Sequence, residues 1–276
     1  MGAHLIISWS NPPLDYQGIA KLFEQDIQSP LTILKLPKMG SGKQRDLTLR
    51  FVIERFPTVE YIVYIEDDAF IDATCLRSLI NTLRVLPREY ALVSPERGAK
   101  LCADFVVSKV MPSNRLYVAL TGGSGAYVIR ADVVRELIRL GLGTYSSFMF
   151  FHWEDMEFVL KLWFMGFKTV SYELTCYNHM GGTGRNKPIY RRYTEYLGPL
   201  MAMMVDMPHT FLVKALPIRF IRDMVKSLIK GGEVVLFVRA YLFIIVKLRL
   251  LLTHKTFRMR SFKSAALGNI VHNCVK

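Results

Sequence analysis

Acidic residues are nearly absent from the last third of the chain. Residues 185–276 hold four Asp and Glu against 17 Lys and Arg, whereas residues 1–184 hold 19 of each, so the whole formal charge of +13 resides in the C-terminal part. Such an excess invites a polyanionic partner, but this region also carries the apolar runs LGPLMAMMV (197–205) and VVLFVRAYLFIIV (234–246), and no base-reading motif accompanies them. That combination argues against nucleic acid and for an anionic surface with an apolar interior.

Cysteine is scarce and scattered. The four, Cys75, Cys102, Cys176 and Cys274, form no CxxC pair, which argues against a structural zinc site and a disulfide framework and leads us to expect reduced thiols in the cytoplasm. The opening MGAHLIISWS has no basic segment ahead of a long apolar run and no small-residue cleavage site, so no secretory leader is expected; Ile6 breaks the myristoylation pattern. Internal repeats and low-complexity tracts are lacking. MGSGKQ (39–44) looks like part of a phosphate-binding loop, but Pro37 and Gln44 stand where that loop needs glycine and Ser or Thr, so the segment is read as a flexible loop in which Lys43 touches a phosphate at most.

What is present is an alternation. Short β-like runs, HLIISW (4–9), LTILKL (31–36), YIVYIE (61–66), YALVSP (90–95), GAYVIR (125–130) and KTVSYE (168–173), are interleaved with helix-length segments at 16–27, 43–56, 73–86, 131–141 and 154–165. The pattern predicts an α/β domain over residues 1–184 with a mainly parallel, Rossmann-like sheet flanked by helices. Gly166 is suited to end the helix that precedes it. The boundary near 185–195, where charge and composition change together, predicts a second region, 185–276, that is basic, apolar and helical.

Two knots of acid stand out. In VEYIVYIEDDAFID (59–72) an apolar strand runs into Glu66, Asp67 and Asp68. In an open α/β sheet ligands gather at the carboxyl ends of strands. Three adjacent carboxylates repel one another, and a hard divalent cation, magnesium or manganese, would relieve that; the alternative is a solvated acidic turn. The second knot, HWEDMEFVLKLWFMGFKTVSYELTCYNHMGG (152–182), opens a helix with Glu154 and Asp155 and closes on His179 before two glycines. The acids read either as caps of a helix N-terminus or, for Asp155, as a general base toward a hydroxyl. His179 reads as a structural hydrogen-bonder, or as a further ligand if a metal is held at the first knot.

Taken in order, IISWSN (6–11), KLFEQ (21–25), GKQRDLTLR (42–50), YIVYIEDDAFID, TGGSGAYVIRADVV (121–134), WEDMEFVLKLWFMGFK (153–168) and NHMGGTGR (178–185) resemble the inverting family 2 glycosyltransferases of the GT-A nucleotide-diphospho-sugar fold, particularly rhamnosyltransferase-like members. The resemblance covers about residues 5–185. It implies that Glu66 and Asp68 are the outer positions of the DxD motif, with Asp68 as metal ligand alongside Glu66 and His179. It places Glu66 and Asp67 near ribose and diphosphate, Asn11 and Arg45 near the nucleotide, and Trp153 and Glu154 at the acceptor. Asp155 becomes the catalytic base of a metal-dependent displacement, with Mn2+ or Mg2+ as cofactor, that carries a sugar from a nucleotide-sugar donor to a hydroxyl of a lipid-linked or glycan acceptor. Departures from the family pattern are Glu66 in place of aspartate, Asp46 where asparagine is common, TYSSFMFF (144–151) where an FDE segment is usual, and no aspartate after the second strand in LTILKLPKMGSGK (31–43). They open the alternative of a non-catalytic nucleotide-sugar-binding or scaffold protein on the same fold.

For the basic region three readings stand: helices lying in a membrane interface, a span across the bilayer by 231–252 with Arg239 near its middle, or a soluble helical subdomain packed on the core. The first is favoured, which places the protein at the cytoplasmic face of a membrane.

Overall fold

A computed structural model describes residues 4–10, 30–95, 106–109, 116–119, 125–146, 154–172, 174, 176–179, 188–206, 209–230 and 233–261. Among them are ten strands: β1 (Leu5–Ser10), β2 (Leu31–Leu36), β3 (Tyr61–Ile65), β4 (Ala69–Ile71), β5 (Tyr90–Ser94), β6 (Val106–Lys109), β7 (Leu116–Ala119), β8 (Ala126–Arg130), β9 (Lys168–Tyr172) and β10 (Tyr177–His179). The helices are α1 (Ser41–Arg55), α2 (Ala73–Val85), α3 (Ala131–Arg139), α4 (Glu154–Phe164), α5 (Pro188–Asp206), α6 (His209–Ile229) and α7 (Val234–Ser261). The expected helix at 16–27 lies outside the described residues.

Six strands form the main sheet in the order β3-β8-β5-β9-β7-β6, while β1 pairs in parallel with β2 and β4 pairs antiparallel with β10. The expectation of a mainly parallel sheet is corrected to a mixed one. β5 and β9 are parallel, but β8 runs antiparallel to both β3 and β5, and β7 antiparallel to both β6 and β9. The physical reason lies in the connection from β5 to β8, which passes through the β6–β7 ladder. The crossover helix that makes neighbouring strands parallel is not required there.

Strand alternation divides the core between two faces. Ile62, Leu92, Tyr127 and Ile129 meet Leu49 and Val52 of α1, Val133, Val134 and Leu137 of α3 and Phe158, Leu162 and Phe164 of α4. Val93, Val128 and Val170 point the other way, onto Leu79 and Leu83 of α2. The first core continues into the C-terminal region through Leu200, Met201 and Val205 of α5 and Ile244 and Leu251 of α7. Gly166 (φ +89°) follows α4, the left-handed position foreseen for it.

Two smaller expectations are also corrected. The segment 39–44 is no flexible loop: Gly40 precedes α1 and Ser41, Gly42 and Lys43 form its first turn, with Lys43 exposed. The cysteines are not all free, since Cys75 and Cys176 form a disulfide with a Cα–Cα distance of 5.8 Å. Spacing in sequence concealed this pair, which folding brings together across 101 residues when β10 docks on β4.

Candidate active site

The carboxyl end of β3 and the amino end of α4 converge on α1. β3 is a run of β-branched and aromatic residues, YIVYI, and it stops where the acids begin. The Glu66 N–H donates to the Gly125 carbonyl at 2.7 Å, which fixes Glu66 at the start of β8. α4 begins at Glu154, so Glu154, Asp155 and Glu157 all lie in its first turn, where the positive end of the helix favours carboxylates.

Arg45, on the buried side of α1, joins these two ends. Its guanidinium donates through Nη1 to Asp155 Oδ1 and through Nη2 to Glu66 Oε1, and Nη1 lies 3.8 Å from Glu154 Oε1. Tyr64 and Tyr145 hold the guanidinium over their rings, with centroids 5.2 and 5.4 Å from its carbon. Burial works against the Arg45 charge, but the carboxylates of Asp155 and Glu66 outweigh it and hold its pKa well above the ordinary arginine value. The guanidinium is a permanent cation here.

Behind it, Tyr64 stacks on Tyr127 at 5.0 Å, the Tyr127 and Tyr145 hydroxyls are 2.9 Å apart, and Tyr145 stacks on Phe158 at 4.6 Å. Burial raises the pKa of all three phenols, which stay neutral at physiological pH. Tyr145 sits in a segment pinned from both sides. Asp46 of α1 accepts from the Thr144 N–H (2.6 Å) and hydroxyl (2.7 Å), and the fully buried ion pair of Glu157 and Lys161 (3.2 Å) binds Ser146 and the Gly143 carbonyl. Gly143 adopts φ +65°, and a Cβ there would lie 3.3 Å from Asp46 Oδ1, so only glycine fits comfortably. Glu154 is 4% exposed; its Oε1 accepts from Ser41 Oγ at 2.6 Å, while its Oε2 has no hydrogen-bond partner among the described residues. Glu154 is thus a desolvated carboxylate beside Asp155, with one oxygen committed to Ser41.

The structure thus brings Arg45, Glu66, Glu154 and Asp155 together. Asp67 is exposed and Asp68 half-buried on the turn between β3 and β4, and His179 pairs in register with Ala69, next to Asp68. Asp68 stands on the turn just before β4, outside the ladder, so the backbone brings the two positions near one another; a carboxylate and an imidazole are both donor types that a divalent ion accepts. Glu66 has an oxygen on Arg45, so a cation would share its carboxylate with the guanidinium. The three-residue cluster of metal-ligand type among the described residues is a different one, Asp72, Cys75 and Cys176, with both sulfurs in the disulfide. Asn11 and Trp153 lie outside the described residues. Sequence reading missed Tyr64, Tyr127 and Tyr145, because aromatic residues at strand ends read as core, and missed the Glu157–Lys161 pair, whose i, i+4 spacing was the available signal.

No family model and no curated protein matches the chain. Among solved structures the chain is similar to the crystal structure of GalNAc-T7 with UDP, GalNAc and Mn2+, at 14% identity and a TM-score of 0.42, over 71% of this chain and 42% of that one. It spans less than half of that protein's length. A likeness this slight leaves function to the residues themselves.

Proposed function

We propose that the protein is a glycosyltransferase of GT-A type, drawing a sugar from a nucleotide-diphosphate donor, with residues 1–184 as the catalytic unit. The observation that carries the reading is the single guanidinium of Arg45 held between Glu66, at the carboxyl end of β3, and Asp155, at the amino end of α4. We take Glu66 as the acid of a donor-binding strand and Asp155 as the acid of a base-bearing helix, in the chain order that the sequence resemblance implies.

In this reading Asp155 takes the proton from an acceptor hydroxyl, whose oxygen then attacks the anomeric carbon as the bond to the diphosphate breaks, inverting the anomeric configuration. Glu154, next to Asp155 in the first turn of α4, shapes the acceptor side of the site. Arg45 keeps Asp155 ionised until substrate arrives; its five N–H donors suffice to hold the base while a further one turns to a donor phosphate. Asp68 and His179, with Glu66, would hold Mn2+ or Mg2+, and a divalent ion bound there would stabilise the leaving diphosphate. The acceptor we propose is a lipid-linked or glycan hydroxyl presented at a membrane surface.

The test is release of nucleoside diphosphate from a panel of nucleotide sugars by wild type and Asp155→Asn. We expect turnover of one donor, reduced by about 10²- to 10⁴-fold in the variant with nucleotide affinity unchanged. Turnover that survives the substitution would remove Asp155 from its role. A second reading, a nucleotide-sugar-binding or scaffold protein without turnover, is favoured by the same Arg45, because its guanidinium already satisfies the two acids; binding without release of diphosphate would select it.

A further inference from the structure

Helix α6 packs Leu212 and Leu216 into the core in its first half, but from Arg219 onward it turns polar residues inward: Arg219, Asp223, Lys226 and Ser227 line the side that faces α5 and α7. Arg219 Nε donates to Asp223 Oδ2 at 2.6 Å, Lys226 meets Glu195 of α5 at 3.4 Å, and the Tyr241 hydroxyl of α7 reaches Asp223 at 3.4 Å. The opposite half of the helix is apolar and exposed. Val213, Ile218, Ile221, Val225, Leu228 and Ile229 fall within about half the circumference at 100° per residue, and Ile229 is 79% exposed. α7 carries an exposed apolar stripe of its own, Val235, Val238, Leu242, Ile245 and Val246.

A helix in water buries its apolar side. One that turns its polar side inward and its apolar side out is matched to surroundings less polar than its own interior, and the exposed apolar area here is far beyond what scattered surface residues explain.

The charge on this surface selects the occupant. Lys214, Arg222, Lys230, Arg239, Lys247 and Arg249 are exposed on α6, α7 and the turn between them, whereas the acids of the same segment, Asp223 and Glu233, are 1% and 3% exposed and consumed by internal partners. Two copies of this face apposed would bring six cations against six. Among the described residues no helix is long and apolar enough to cross a membrane, so the transmembrane reading of 231–252 is set aside. We infer that the exposed apolar face of α6 and α7 is an interfacial docking surface for an anionic phospholipid bilayer, with the apolar side chains entering the headgroup boundary and the lysines and arginines meeting lipid phosphates. The inference stands apart from the catalytic reading, since its test uses neither nucleotide nor sugar.

The experiment is flotation of the full chain with vesicles of phosphatidylcholine alone and of phosphatidylcholine with about one third phosphatidylglycerol. Binding is expected to the second and to be lost in Ile221→Ser/Leu228→Ser, whose side chains are exposed, so that circular dichroism and melting temperature stay at wild-type values. Lys214→Gln/Arg239→Gln is expected to weaken binding by about 25-fold, fivefold for each charge removed. Failure to bind either vesicle, or equal binding to both that the apolar substitutions leave intact, would overturn the inference. So would self-association, seen by sedimentation velocity and abolished by Ile221→Ser/Leu228→Ser, which would make a second copy the occupant.

Discussion

Arg45 and Asp155 stand 110 residues apart in the chain and share an ion pair whose guanidinium also holds Glu66. Removing the cation strands both acids, whose side chains are only 18% and 17% exposed, without their shared partner. Arg45→Met is therefore expected to cost about 3 kcal/mol in denaturant unfolding, the order found when a largely buried pair loses one member. Arg45→Lys recovers part of that, because an ammonium lacks the planar fork that meets two carboxylates at once. Equal stability of Arg45→Met and wild type would show that the pair does not organise the site.

Asp46 gives a pH signature. Burial opposes its ionisation, but hydrogen bonds from Arg50 and Thr144 outweigh it and set the pKa below the ordinary value of 3.8. A folded-state pKa below the unfolded one contributes stability that is complete above about pH 4 and lost as pH falls through the lower, folded value. Asp46→Asn should remove that contribution, so the stability difference between the two proteins is expected to be constant at neutral pH and to shrink in acid. A difference that grows in acid would contradict the assignment.

The Cys75–Cys176 bridge ties the start of α2 to the segment leading into β10, and so fixes the ladder that sets His179 beside Asp68. Closing a loop of about 100 residues is worth up to about 4.7 kcal/mol through the unfolded chain. Cys176→Ser, or reduction of wild type, is expected to lower the melting temperature by several degrees, and reduction is expected to leave Cys176→Ser unchanged. Alkylation of free thiols at the moment of cell lysis reads the compartment: protected Cys75 and Cys176 would speak for an oxidising one and against the cytoplasmic face.

Much of the frame was legible in the sequence. The strands realised as β1, β2, β3, β5, β8 and β9, and helices α1 to α4, sit within a few residues of their predicted places, because the strands are short apolar runs and the helices space their apolar residues at three and four. Direction was not legible: β8 alternates and buries as a parallel strand would, and only the route through β6 and β7 reverses it. Residues 69–71 and 177–179 are too short to carry a period, so the ladder they form went unseen, and with it the disulfide. At the site, the acids announced themselves by standing at element ends. What gathers them did not, since Arg45 on α1 looks like an ordinary helix arginine until β3 and α4 are folded against it. The i, i+4 spacing of Glu157 and Lys161 signals a pair, but an i, i+4 pair reads as a surface one, and only the fold buries it completely.

The most direct test of a donor site beside Asp68 is calorimetric titration of the protein with UDP, GDP and dTDP, each with and without Mn2+, repeated on Asp68→Ala. The account predicts that one nucleotide binds, that binding requires the cation, and that Asp68→Ala abolishes it while Asp155→Asn does not. Absence of binding for every nucleotide under both conditions, or binding indifferent to Asp68→Ala, would contradict it.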